Sequence, residues 1–184
     1  MMYEKIGAKK MADVPITIVV DGESLKYAVE YNPNFQNSTP DKPVNIGAYG
    51  SQDKYVYMMT KNDFVVNDQA KSELTVKANP NNTIQWTMVT FSTDYTAFIY
   101  RGNFNPGDHL RYDGGSTVQV NTYLPANDEA PTGDRTKYKN EMYVVDALVK
   151  KSGKIQYSFC FVVVDNSNGN TIGWFTWDPF INVS

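Results

Sequence analysis

Few side chains in this sequence of 184 residues combine the types and spacing that catalysis requires. His109 is the single histidine and follows Asp108, so a nucleophile–histidine–carboxylate arrangement could form only through this residue. Cys160 is the single cysteine and lies in the apolar run FCFVVV, which favours a buried thiol. The sequence therefore predicts neither a disulfide within the chain nor a metal site with several cysteines.

Motifs that identify enzymes and cofactor-binding proteins do not occur in the sequence. We find no G-x-S-x-G elbow, phosphate-binding glycine loop or dinucleotide fingerprint. Several aspartates lie near predicted turns, but nothing pairs two of them as an acid and a base. The stretch DNSNGN at 165–170 favours a hairpin turn over a calcium loop, because Asn and Gly accept positive φ. We predict a protein that is not an enzyme, without catalytic, cofactor-binding or metal-binding residues.

The stretch GNFNPGDHLRYDGGS, residues 102–116, contains the side chains that lectins use. One proline and four glycines predict an exposed loop. Sugars stack their C–H faces on exposed aromatic rings, while Asp, Asn and Arg side chains bind the hydroxyls. The candidate ligand-binding residues are Asn103, Asp108, His109, Arg111, Tyr112 and Asp113. They predict a glycan as one partner, and an ordinary polar loop is the alternative.

Composition limits the remaining classes of function. The chain is 41% hydrophobic, 14% aromatic and 20% charged, which is typical of a folded globular protein. A net charge of −3, with no stripe of Lys and Arg, argues against nucleic acid as a partner. No apolar stretch approaches the length of a membrane span, and the N-terminus lacks the apolar core of a signal peptide. We predict a soluble, cytoplasmic protein with no membrane partner.

The apolar residues that must position any site recur with a period of two, which predicts strands. Ile84, Trp86 and Met88, for example, alternate with polar residues on one predicted strand. Beyond residue 160 both faces become apolar, as expected for a strand that is covered on both sides. The candidate strands lie within residues 16–22, 55–60, 63–68, 73–80, 83–89, 96–102, 116–125, 141–150, 154–165 and 171–177.

These strands predict an all-β fold, an antiparallel, jelly-roll-like β-sandwich with little helix. One short helix is predicted at 23–30, and a second exposed loop at 125–140. Residues 1–12 are predicted to be a weakly ordered leader in which Met11 is an alternative start. Residues 13–184 are predicted to form a single β-sandwich domain.

The chain ends with TIGWFTWDPFINVS, which contains two tryptophans three residues apart. Strand alternation places Trp174 and Trp177 on opposite faces, so they cannot form one binding platform. We therefore predict that at least one of them is buried. Pro179 lacks the N–H that a sheet needs and fits an edge or a bulge, while Asp178 could cap a neighbouring turn.

This ending resembles the C-terminal signature of the AidA/PixA inclusion-body protein family, carried here by Trp174, Trp177, Asp178 and Pro179. The opening strand ITIVVDGESL, a central segment from DFVVND to FIYRG, and the hairpin KYKNEMYVVDALVKKSGKIQYSFCFVVVD are similar to the same family. The resemblance covers about residues 16–184.

The family resemblance implies a small, soluble β-sandwich protein of Gram-negative bacteria, in a family of which some members accumulate as intracellular inclusions. Some members are controlled by quorum sensing or linked to host association, and no catalytic residue carries over. The resulting hypothesis is a non-enzymatic protein that self-associates as a homo-oligomer. A carbohydrate-binding, lectin-like module is the alternative.

Overall fold

The structure is a computed structural model that describes residues 13–46, 52–126 and 134–183. The predicted leader, residues 1–12, lies outside the described residues. One helix of ten residues and twelve strands make up the fold: β1 Val14–Val20, α1 Gly22–Tyr31, β2 Val44–Asn45, β3 Val56–Thr60, β4 Val65–Asn67, β5 Thr75–Ala78, β6 Thr83–Thr90, β7 Tyr95–Asn105, β8 Leu110–Pro125, β9 Arg135–Val149, β10 Gly153–Asp165, β11 Thr171–Trp177 and β12 Phe180–Val183.

The strands form two sheets that pack face to face, which confirms the predicted all-β sandwich. The five-stranded sheet has the order β3-β1-β6-β9-β8. The seven-stranded sheet has the order β2-β11-β10-β12-β5-β4, and β7 pairs with β10 as well. The pairing is mixed, because β1–β6, β2–β11 and β5–β12 are parallel while the other pairs are antiparallel. Long stretches of chain separate the strands of each parallel pair, as parallel pairing requires.

Aromatic side chains from both sheets fill the space between them. Trp86 of β6 is fully buried, and its ring lies edge-on to Phe159 of β10 with centroids 5.0 Å apart. Its indole Nε1 donates a hydrogen bond of 3.2 Å to the buried hydroxyl of Tyr157. Cys160 is also buried, as the apolar run around it predicts. The sheets are therefore joined by packing and by one internal polar contact.

The C-terminal tryptophans follow the predicted alternation. Trp177 is fully buried and Trp174 is half-buried on the other face of β11, which confirms that at least one is buried. Asp178 and Pro179 separate β11 from β12. The carbonyl of Pro179 accepts a 3.0 Å hydrogen bond from Tyr157 N, and Asp178 accepts one from Gln156. Residues of this signature therefore attach the last strands to β10.

Helix α1 begins at the turn that ends β1. Asp21 caps it, accepting a 2.9 Å hydrogen bond from the backbone N–H of Ser24. Leu25 and Ala28 are buried on the inner side of the helix. The helix spans Gly22–Tyr31, so the prediction of a helix at 23–30 is confirmed. Among the described residues, no helix has the length and apolar character needed to cross a bilayer.

Both predicted loops are wrong over much of their length. β7 continues to Asn105 and β8 begins at Leu110, so only four residues of 102–116 connect strands. β9 begins at Arg135, which places 135–140 in a strand, while 127–133 lie outside the described residues. Local Gly, Asn and Asp content favours turns, but hydrogen bonding to β10 and within the β8–β9 pair outweighs it.

Candidate functional site

The six predicted ligand-binding residues do not converge on one site. Asn103 lies on the exposed side of β7. Arg111 and Asp113 form an ion pair of 2.7 Å on the exposed side of β8. Tyr112 points the opposite way and packs against Phe104, with ring centroids 5.3 Å apart. These residues therefore belong to two strands of different sheets.

The remaining two candidates lie in the connection between β7 and β8. Asp108 pairs with the ammonium of Lys151, which lowers the pKa of the Asp108 carboxyl. The half-buried His109 has its Nδ1 buried without a hydrogen-bond partner among the described residues. No group of three His, Cys, Asp or Glu within the described ranges is arranged to hold a metal ion. The predicted sugar site at 102–116 thus has no common cavity.

A different region, which we call the tyrosine groove, has the character of a binding site. It encloses about 960 Å³ between α1 and the start of β3. Four phenol rings line it, from Tyr27, Tyr31, Tyr55 and Tyr57. Tyr27 and Tyr31 lie one helical turn apart with centroids 4.5 Å apart, and are 65% and 68% exposed. An exposed aromatic surface of this kind can take part in binding.

The other two rings are held in place by neighbouring aromatic residues. Tyr55 lies against Phe35 with ring centroids 5.7 Å apart. Tyr57 lies against the exposed Phe91 at 5.5 Å. The backbone carbonyl of Tyr55 accepts a hydrogen bond of 2.8 Å from Asp21 N, which ties the start of β3 to the end of β1. The β3 wall of the groove is therefore fixed to the end of β1, the strand that leads directly into α1.

The groove carries more negative than positive charge. Its charged residues are the carboxylates Asp21, Glu23 and Asp53, and the ammonium of Lys54. Asp53 Oδ1 accepts hydrogen bonds from both the backbone N–H and the hydroxyl of Ser72, at 2.8 and 2.7 Å. The bond from the Ser72 backbone is the main cause that lowers the pKa of Asp53. The groove thus offers π faces beside fixed anionic groups, which suits a cationic partner.

Sequence reasoning missed the tyrosine groove, because its residues come from 21–32 and 53–57 and share no motif. The only local signal is the spacing of Tyr27 and Tyr31, which places both rings on one side of a helix. The second wall requires β3 to pair with β1, with Val20 opposite Val56. That pairing is a property of the tertiary structure.

A second feature, which we call the arm, comprises residues 117–126 and 134–143, that is, the end of β8, the start of β9 and one residue beyond each. β9 pairs with β6 only from Val144 to Leu148, whereas its pairing with β8 continues from Tyr143 to Arg135. Among the described residues, no third strand joins this part of the hairpin. The arm is therefore a two-stranded segment roughly 30 Å long at strand rise.

The two faces of the arm differ in chemistry. One face, which we call the apolar face, carries Val118, Val120, Leu124, Tyr138 and Met142 together with the polar Thr122, Thr136 and Asn140. The other carries Arg135, Lys137, Lys139 and Glu141. In the sandwich, this second face of β9 presents Val145, Ala147 and Val149 to the core. The arm cannot extend the core, because the face that is apolar from Val145 to Val149 carries charged residues between Arg135 and Glu141.

Tyr143 anchors the base of the arm. Its ring lies over Gly115, where a Cβ would come within 1.8 Å of the Tyr143 hydroxyl oxygen. The same ring meets Phe98 of β7 edge-on, with centroids 6.0 Å apart. Glycine at position 115 therefore leaves room for the Tyr143 ring, and the arm begins at a packed base.

Of three solved structures that match this chain, one does so with a TM-score above 0.5. The crystal structure of an inclusion body protein (PixA) from Burkholderia cenocepacia matches with a TM-score of 0.64 at 16% identity, covering 97% of this chain and 100% of that one. A cysteine protease inhibitor from Entamoeba histolytica matches with a TM-score of 0.32 at 10% identity, covering 60% and 86%. The solution structure of amebosin matches at 0.24 and 10%, covering 67% and 93%. The two low scores support no inference.

Sequence comparison gives a more specific result than shape. No curated protein sequence matches this chain. The family described as "PixA: Inclusion body protein", however, matches residues 12–183, nearly the whole sequence. The PixA crystal structure has the same fold over nearly all of both chains. The chain therefore belongs to the PixA inclusion body protein family.

Proposed function

We propose that this protein is non-enzymatic and self-associates through its arm, accumulating as inclusions in the cytoplasm. Membership of a family of inclusion body proteins supports this function. The observation that carries it is the uncovered apolar face of the arm. The links to quorum sensing and to host association that the family resemblance implies stay predictions.

The apolar face supports self-association because a two-stranded hairpin alone is marginally stable in water. Val118, Val120 and Met142 are only half-buried within the chain, and Leu124 and Tyr138 are 47% and 45% exposed. Covering such side chains yields about 25 cal/mol for each Å² removed from water. The open backbone edges of β8 and β9 add hydrogen-bonding groups that a second copy could pair.

Val120→Lys tests this function, because it places a charge in the middle of the apolar face. We expect sedimentation velocity to show assemblies of the wild-type chain and mainly monomers of Val120→Lys, since assembly would bury the new charge. Val66→Lys is the matched control, because it places the same charge on an exposed valine of β4, outside the arm, and should leave assembly intact. Thermal unfolding must show that both variants are folded.

A wild-type chain that stays monomeric at high concentration would contradict self-association. So would a folded Val120→Lys variant that assembles as the wild-type chain does. The alternative, glycan binding at 102–116, has weaker support because its six candidate residues are divided between two strands and a turn. We do not propose that site.

A further inference from the structure

We infer that the basic face of the arm binds in the tyrosine groove of a second copy of this chain. The inference rests on the proposed self-association and identifies the surface that receives the arm. The described residues that line the groove come from 21–32 and 53–57, and none of them belongs to the described part of the arm.

Charge complementarity is the first argument for this occupant. The groove has three carboxylates and one ammonium, whereas the outer half of the arm presents Arg135, Lys137 and Lys139 beside Asp134 and Glu141. All five of these arm residues are exposed. Opposite charges on two surfaces steer association and fix the register of the contact.

Chemical fit is the second argument. Lysine and arginine side chains bind favourably over phenol rings, and the four tyrosines supply such rings beside carboxylates. Tyr27 and Tyr31 are about two-thirds exposed in the single chain, so their faces are accessible. Tyr123, which pairs with Lys137 on the basic face, adds a ring that could stack in the same groove.

Position in the sheet is the third argument. β6 runs parallel to β1, so Thr90 and Val20 lie at the same end of the five-stranded sheet, where Tyr55 also lies. β9 is antiparallel to β6, with Val144 opposite Thr87, and the arm continues past this same end. The groove is at the β3 edge and the arm at the β8 edge, about 19 Å apart at four strand spacings.

The arm and the groove lie at the same end of the molecule, which favours a reciprocal exchange of arms between two copies. Two copies related by a two-fold axis can each insert an arm into the other's groove, so that one contact implies its twin. At Met58 the edge of β3 is closed to strand addition, because its N–H donates to the carbonyl of Lys71 and its carbonyl accepts from the N–H of Ala70. The groove therefore receives side chains of the arm and not an added strand.

Charge reversal on each surface tests the contact. Lys137→Glu/Lys139→Glu in the arm and Glu23→Lys/Tyr31→Lys in the groove should each raise the dissociation constant of the pair of copies by about tenfold or more. Both sets of changes in one chain should restore much of the affinity, because the opposite charges face each other again. Lys61→Glu/Lys77→Glu is the control, since it reverses two exposed lysines elsewhere and should have no such effect.

The outcomes separate this inference from the proposed function. If the wild-type chain is monomeric, self-association itself is wrong. If the wild-type chain assembles and Val120→Lys dissociates it, but charge reversal changes nothing or the combined variant fails to recover, only the arm–groove contact is wrong. A neutral saccharide that binds the wild-type groove, loses binding in Glu23→Lys/Tyr31→Lys and leaves assembly unchanged would also overturn it, by identifying a glycan site.

Discussion

At the scale of the residue, the described polar side chains serve mostly to hold backbone in place. Asp21 caps α1, and Asp53 binds the backbone and hydroxyl of the buried Ser72. Both carboxylates line the tyrosine groove, so a role in stability coincides with a contribution to its charge. Substitutions that probe the groove must therefore spare them.

Asp53 gives a prediction for the dependence of stability on pH. Its pKa is lower in the folded chain than in the unfolded chain, mainly because Ser72 N–H stabilises the anion. The stabilisation is present above the unfolded pKa of about 3.9 and is lost as pH falls through the folded pKa. We expect Asp53→Asn to lower the free energy of unfolding at pH 7 by about 1 to 3 kcal/mol. The further loss of stability as the pH falls should be smaller in this variant than in the wild-type chain.

Urea unfolding between pH 7 and pH 2.5 would measure this effect. Asp63→Asn is the control, because Asp63 is exposed in a short turn of helix and should behave as the wild-type chain does. Equal losses of stability in both variants would show that the Ser72 contact is not the cause.

At the scale of the element, the start of α1 and the arm show how strands position the two surfaces. The helix follows β1 immediately, and its first residue is buried against β7. In the arm, by contrast, the pairing of β8 with β9 continues beyond the point where β9 pairs with β6. Because α1 follows β1 directly, it forms one wall of the groove in a fixed position. Because no third described strand pairs with the arm, the arm is free to contact another molecule.

Gly22 allows the helix to approach β7, so its substitution provides a test. A Cβ at this position would lie 2.8 Å from Tyr95 Cγ and 2.9 Å from its Cβ, near the root of the ring, where the side chain cannot move aside. Gly22→Ala should therefore destabilise the protein by about 1 to 3 kcal/mol, although alanine is the better helix former. Chemical denaturation would measure the change.

Glu30→Ala is the control for this prediction, because Glu30 is exposed on the same helix. It should change stability by less than about 0.5 kcal/mol. A Gly22→Ala variant as stable as the wild-type chain would mean that α1 does not require the close contact with Tyr95.

At the scale of the whole molecule, the sandwich depends on contacts between its sheets. Trp86 comes from the five-stranded sheet and Tyr157 from the seven-stranded sheet, and their hydrogen bond is buried. Burial is the main cause that raises the pKa of Tyr157. The hydrogen bond therefore contributes to stability at neutral pH, whereas the burial of the Tyr157 hydroxyl limits the tolerance of alkali.

Tyr157→Phe should lower the free energy of unfolding by about 1 to 3 kcal/mol, because it leaves Trp86 Nε1 buried without a partner. In the wild-type chain, stability should fall as pH rises above about 10, since the unfolded tyrosine ionises before the folded one. This part of the alkaline slope should be absent in Tyr157→Phe. Urea unfolding at pH 7 and pH 10.5 would measure both effects.

Tyr138→Phe is the control, because Tyr138 is 45% exposed on the arm. It should keep both the neutral-pH stability and the alkaline slope of the wild-type chain. An alkaline slope that is unchanged in Tyr157→Phe would assign the loss of stability to other tyrosines.

The sequence by itself determined the features that depend on neighbouring residues. A period of two places Ile84 and Trp86 in the core and separates Trp174 from Trp177, because successive side chains of a strand point to opposite faces. The helix after Asp21 and the turn at Gly169, with φ +74, likewise follow from local capping and backbone preferences. The resemblance to the family likewise depends on a short run of neighbouring residues, the ending around Trp-Asp-Pro.

Only the tertiary structure decided which strands pair. Residues 102–116 read as a loop because their Gly, Pro and Asp content favours turns, yet β7 and β8 extend into them by bonding to strands distant in sequence. The tyrosine groove exists because β3 pairs with β1 beside α1. The arm exists because β9 parts from β6 at Val144. Which strands pair depends on contacts between residues that are distant in sequence. No short stretch of sequence therefore indicates the tyrosine groove or the arm.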